Sequence, residues 1–184
     1  KLDLSSIKII TSTGSPLAEE SFKYVYKNIK RDVHLASIAG GTDLVGCLVL
    51  GNLYSNVHKG EIQGQSLGID VDVFTDNGKS TKDGDKGELV VKKPFPSMPV
   101  KFWGDNDGQK YHKAYFTRFE NIWHHGDFIE RTSNNGFIMR GRSDSTLNPG
   151  GVRIGTSEIY QQVEDIDFIT EGLVVGQDFK DDVR

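Results

Sequence analysis

"GRSDSTLNPGGVRIG", residues 141–155, sets Arg142 and Arg153 on either side of an acid, Asp144, and a proline-glycine break. Neither helix nor strand favours glycine at this density with a proline in the middle. The run therefore reads as a boundary. One element ends near Arg142, and "STLN-PGG-VRIG" turns back on itself as a hairpin. A helix then opens at Thr156 over "TSEIYQQVED", with Ile159 and Val163 on one face.

Upstream of this boundary the chain has two characters. "SSIKII" (5–10) predicts a strand, ended by the glycine-proline break of "TSTGSPL". "PLAEESFKYVYKNI" predicts a helix, with proline at its start, acids in its first turn, and Phe22, Val25, Tyr26 and Ile29 on one face. "VHLASI" (33–38) is a second strand, and strand–helix–strand is the unit of a parallel sheet. After about Gly51 the pattern shifts to short strands: "GIDVDVFTDNGKS" with a turn at Asn77–Gly78, then "GELVVKK", "GDFIERT" and "FIMRGRS", with "SNNG" as a further turn and "DGQKYHKAYF" as a short helix. This middle part reads as a small antiparallel barrel or sandwich. Past Arg142, one hairpin, one helix and a strand over "EGLVVGQD" bury too little for a core of their own. The expected fold class is mixed α/β (α+β). The end of a parallel α/β layer covers 1–50 and an antiparallel β-barrel subdomain 51–142. A hinge follows at 143–145, and 146–184 begin an α+β C-terminal domain.

The composition, 36% hydrophobic and 26% charged, is that of a globular chain, and a net charge of -4 with mixed signs argues against a nucleic-acid partner. No apolar run reaches the length of a membrane span. The single cysteine, Cys47 in "GCLVLG", excludes an internal disulfide, fits a reducing compartment such as the cytoplasm, and reads as a packing residue. The N-terminus has neither an initiating methionine nor a signal peptide and already approaches a strand, so a piece of something larger is expected.

Four segments carry candidate chemistry. In "SIAGGTDLVG", Gly40 and Gly41 admit an anion close to backbone amides, Thr42 adds a hydroxyl donor, and Asp43 is placed to hold Mg²⁺. In "WHHGDF", Asp127 offers two acceptor oxygens suited to vicinal ribose hydroxyls. The adjacent His124 and His125 point to opposite faces of a strand and so do not share a metal. Arg142 and Arg153 can each reach a phosphate, and Gly150–Gly151 leave a slot without side chains. Gly14, Ser15 and Pro16 lie at a strand's C-terminal end, where open parallel sheets bind ligands.

Taken in order, "GSPL", "GGTD", "HHGDF" and the ungapped "GRSDSTLNPGGVRIGTSEI" resemble the adenylate-forming superfamily of acyl-CoA synthetases, luciferases and peptide-synthetase adenylation domains. "SIAGGTDL", "MPVKFWGDNDGQKYHKAYF" and "WHHGDFI" are similar to its acetoacetate-activating branch. The resemblance implies an enzyme taking ATP, Mg²⁺, coenzyme A and a carboxylic acid. The carboxylate is adenylated with loss of pyrophosphate, and the coenzyme A thiol then displaces AMP. It implies adenine contacts at Gly14, Ser15 and Pro16, and phosphate contacts at Gly40, Gly41 and Thr42. Asp43 would lie near the magnesium, and Asp127 on the ribose. Arg142 would sit on ribose or phosphate, Asp144 would be the hinge, and Gly151 and Arg153 would serve thioester formation. Thr42, Asp43, Arg142 and Arg153 would be the catalytic set.

Acetyl-specific relatives carry two tryptophans just before the threonine–acid pair. Ala39 and Gly40 stand here instead, so the expectation is that lost ring volume admits a longer acid such as acetoacetate. The family's phosphate loop and its C-terminal lysine are expected upstream of residue 1 and downstream of Arg184. On that expectation the 184-residue piece has no activity alone and unfolds in urea over a broad, non-cooperative transition. A sharp two-state transition at high urea, followed by circular dichroism, would contradict it.

Overall fold

The computed structural model describes residues 2–147, 153–164, 166, 168–179 and 182–183. β1 (Ile9–Ser12) and β2 (His34–Ser37) pair in parallel, Ile9 opposite His34, and α1 (Glu19–Tyr24) makes the crossover. The helix ends in a π-helical turn, Val25–Ile29. The extra residue per turn rotates the face: Phe22 is buried while Ile29 is left 42% exposed.

β3 (Ala39–Gly41), β4 (Gly46–Leu50) and β5 (Gly64–Gln65) form a three-stranded antiparallel sheet with a bulge between Ala39 and Gly40. β6 (Val71–Phe74), β7 (Lys86–Val91), β8 (Trp123–Arg131) and β9 (Phe137–Arg142) form a four-stranded antiparallel sheet in sequence order. The two sheets meet at one bridge, where Ile62 and Phe137 exchange both backbone hydrogen bonds at 2.7 and 2.9 Å. The core lies between them, with Leu48, Val49, Val73, Leu89 and Ile129 fully buried. α2 (Gln109–Tyr115) adds an aromatic cluster in which Tyr115 stacks on Trp123 at 3.7 Å.

Two expectations are corrected. The middle region is mixed sheet, but no sheet closes into a barrel among the described residues. β6 is an outer strand, whereas a barrel would pair it onward. The strand expected over "EGLVVGQD" is not formed across residues 171–177. Leu173 is 83% and Val175 66% exposed, and the half-buried Val174 bonds through its N–H to the Tyr160 hydroxyl of the preceding helical segment at 2.9 Å instead of to a neighbouring strand. Past the boundary, Leu147 and Ile154 pair as hairpin arms and α3 (Thr156–Glu164) follows, while β10 (Asp178–Phe179) and β11 (Asp182–Val183) make a two-residue ladder. No helix among the described residues is long and apolar enough to cross a membrane.

The sheet carries one fully buried acid, Glu88. Burial alone would raise its carboxyl. Hydrogen bonds from His124, Ser143 and Arg153, with the charge of Arg118, outweigh it and hold the group at about 2, below its ordinary 4.5. A depressed folded-state value contributes stability above the unfolded value and loses it as pH falls. Unfolding free energy should therefore fall between pH 4.5 and about 2 in the native chain, and more shallowly in Glu88→Gln. Urea titrations across that range check this.

Candidate functional site

A cleft of about 700 Å³ opens where the parallel pair meets the two antiparallel sheets. Its lining brings together Gly14, Ser15 and Pro16 after β1, Gly40, Gly41 and Thr42 on β3 and its turn, and Asp127 and Arg142 from β8 and β9. Ile62 and Met139 supply apolar floor, and Thr156 and Tyr160 of α3 close one side.

Asp127 and Arg142 are opposite one another in the β8–β9 ladder. Arg142 Nη1 donates to Asp127 Oδ1 at 3.0 Å and to the His125 carbonyl at 3.2 Å. Asp127 is 7% exposed. Burial pushes its carboxyl above the ordinary range, against the pull of His125 and Arg142. The second oxygen, Oδ2, lies 3.7 Å from His125 Nε2, beyond a normal hydrogen bond, and so keeps acceptor capacity. Between the two side chains stands Gly126, at φ +82°, where a Cβ would come 2.8 Å from Arg142 Nη2.

Asp43 is set apart from this pair. The Tyr115 hydroxyl donates to its Oδ2, and a Cβ on Gly41 would fall 2.0 Å from its Oδ1. Burial and the neighbouring carboxylate push the Tyr115 phenol up, so it remains a donor. A second hollow beside the cleft is lined by Gly41, Asp43, Tyr115, Gly126 and Arg142, so Asp43 shares it with Arg142. An exposed carboxylate beside a glycine that leaves room for it is a fitting hard-oxygen ligand for Mg²⁺, which takes one or two carboxylates and completes its shell with phosphate and water. His124 reaches Glu88 at 2.8 Å while His125 faces Asp127, and no group of three or more metal-ligating side chains gathers among the described residues.

Arg153 lies away from Arg142, and one expectation, at Gly40, comes out differently. Arg153 bonds Glu88 at 2.8 Å and Asp76 at 3.0 Å and lies 4.3 Å over the Phe128 ring. Phe128 follows Asp127 on β8, so the two project to opposite faces and carry the two arginines apart. Gly40 does not open volume. A Cβ there would meet the Gly46 carbonyl oxygen at 2.1 Å, so the space is filled by β4 backbone. Gly151, with Gly150, lies outside the described residues. Asp144 sits in a 3₁₀ turn, Ser143–Ser145, entered and left in extended conformation, with its side chain 82% exposed. Cys47 is half-buried on the cleft wall, and burial pushes its thiol up.

The sequence reading missed Tyr115 and Glu88. Nothing marks Tyr115 among the aromatics of its helix. Glu88 had a signal, an acid inside the apolar strand "GELVV".

No protein-family model matches the chain. It is 61% identical over 182 residues, 99% of its length, to an acetoacetyl-coenzyme A synthetase of Rhizobium meliloti (strain 1021), covering 28% of that protein. To an acetoacetyl-CoA synthetase of Gallus gallus it is 48% identical over 97% of its length, covering 27%. The chain thus spans little more than a quarter of the curated relatives it matches. Among solved structures, the acetoacetyl-CoA synthetase from Streptomyces lividans superposes with a TM-score of 0.84 at 41% identity, over 95% of this chain and 27% of the other. An anthranilate CoA ligase in complex with anthranoyl-AMP superposes at 0.77 with 20% identity, over 96% and 32%, a likeness of fold.

Replacing Gly126 by alanine adds the contact with Arg142 to the strain of a left-handed φ, about 1–3 kcal/mol in all. Gly68, at φ +78° with nothing within 4 Å of its Cβ position, carries only the strain. Urea unfolding should show Gly126→Ala more destabilised than Gly68→Ala.

Proposed function

We propose that this chain, homologous along its length to segments of acetoacetyl-CoA synthetases, is the nucleotide-gripping part of an ATP-dependent acetoacetate–CoA ligase. The observation that carries the reading is the convergence of Gly14, Thr42, Asp127 and Arg142 on one cleft. Residues 1–50 and 51–142 belong to the large body, 143–145 are the hinge, and 146–184 begin the mobile part.

In the first half-reaction an acetoacetate oxygen attacks the α-phosphorus of ATP and the bond to pyrophosphate breaks. In the second the coenzyme A sulfur attacks the acyl carbon, the bond to AMP breaks, and the thiol proton is lost. Asp127 holds the ribose hydroxyls with the acceptor capacity left by Arg142, and Gly14–Pro16 form the adenine wall. Thr42 and the Gly40–Gly41 backbone face the α-phosphate, where charge builds up in both steps. Arg142, half exposed beside Asp127, supplies positive charge to the same region. Asp43, its carboxylate oriented by the Tyr115 hydroxyl, would hold Mg²⁺, which would supply neutralising charge for the phosphates. Gly151 and Arg153 act on coenzyme A after rotation at Asp144. The lone cysteine supports a reducing, cytoplasmic setting.

Two measurements on the full-length protein test this. Acid-dependent pyrophosphate exchange should be greatest with acetoacetate across a panel of short and medium acids; a better substrate elsewhere in the panel removes the assignment. Asp127→Asn should weaken ATP binding by about 10- to 100-fold, the cost of one or two charge-assisted hydrogen bonds. Because burial disfavours the ionised form of Asp127, the same change should leave stability at neutral pH unchanged or raised.

A further inference from the structure

β7 carries Lys86 and Glu88 two residues apart, on one side of the sheet. Both grip the chain beyond its boundary. Lys86 pairs with Glu158 in the first turn of α3. Glu88 accepts the Ser143 hydroxyl, from the 3₁₀ turn, and Arg153 Nη2 at 2.8 Å. From β8 it accepts His124 Nε2 at 2.8 Å, and Arg118 Nη2, in the connection between α2 and β8, lies at 3.2 Å. Its side chain is 0% exposed, so these partners replace water entirely.

We propose that Glu88 is a positioning residue: its buried carboxylate docks the turn and the segment after it against β7 and β8, and decides when Arg153 is free to act. The part concerning Arg153 rests on the function proposed above. Arg153 is engaged with Glu88, Asp76 and Phe128, on the opposite side of β8 from Asp127. To reach the cleft it must leave all three. The division of donors makes that departure reversible. Arg153 goes with the moving segment, while Ser143, which precedes the pivot at Asp144, stays behind with His124 and Arg118. Glu88 thus never becomes the orphaned buried charge that would make release prohibitive. Lys86–Glu158, with both side chains partly exposed, adds a weaker second contact to the same docking.

Hydrogen–deuterium exchange on this chain reads the docking directly. Glu88→Gln should speed exchange of amides in 153–164 about tenfold while leaving β1–β4 unchanged. Since Glu88→Gln also takes from Arg118 one of its two acid partners, leaving Asp76, Arg153→Gln provides a second arm. It removes only a departing partner, and should speed exchange in α3 without touching the sheet. Unaltered exchange in α3 in the variants that fold overturns the proposal. In the full-length protein, Glu88→Gln should change the ratio of pyrophosphate exchange to thioester formation while KM for ATP stays put. An unchanged ratio overturns the part concerning Arg153. If the exchange data respond but no acid is activated, the ligase reading fails and the docking stands; if acids are activated but exchange is unaltered, the reverse holds.

Discussion

The pairing of Asp127 with Arg142 across β8 and β9 is the constraint on which the cleft depends. The ladder places the two residues opposite each other, so an acid and a guanidinium are brought within hydrogen-bond reach by backbone register instead of by long side chains folding together. Register also makes the arrangement intolerant. A slip of one residue in either strand would send that strand's side chain through the sheet and part the pair. Gly126 relieves the local conflict this creates, since any side chain there would push Arg142 off the acid.

The same alternation builds a second site on the other face. His125, Asp127 and Arg142 address the cleft; His124, Phe128 and Ser143 address Glu88 and the segment beyond the turn. Adjacent residues at 142 and 143 therefore face different neighbours, one the cleft and one Glu88. The 3₁₀ turn begins at the residue that docks, which puts the change of direction directly after the last ladder pair.

How much of this was legible in the sequence divides along physical lines. Local periodicity found the strand–helix–strand of β1, α1 and β2, and the helices at 109–115 and 156–164, because each depends on its own neighbours. Barrel closure depends on which distant strands pair, and alternating strands do not encode it. "EGLVVGQD" has a strand's composition but leaves Leu173 and Val175 exposed. The residues gathered at the cleft were readable as motifs, since loops at strand ends keep their chemistry in short runs. The resting place of Arg153 was not, because its distance from Arg142 in sequence says nothing of which face of β8 it lies against. Gly40 misled for a related reason: a glycine vacated for a ligand and a glycine demanded by a neighbouring strand look alike until the strand is placed.

Glu88 and Asp127, two of the buried acids of this sheet, are shifted in opposite directions, and on the proposed reading the difference separates binder from joint. Glu88 and Asp127 are both removed from water, so burial raises both. Glu88 is then filled: His124, Ser143, Arg153 and Arg118 occupy its oxygens, and its carboxyl falls to about 2. Asp127 is underfilled. Arg142 takes one oxygen, His125 stands off at 3.7 Å from the other, and the balance stays on the side of burial. A saturated carboxylate has nothing left for a ligand and works as structure. One left short of donors at the wall of a 700 Å³ cleft is destabilising by itself and gains most when two ligand hydroxyls arrive. That imbalance, more than the identity of the side chain, is the physical ground for assigning Asp127 to binding and Glu88 to docking.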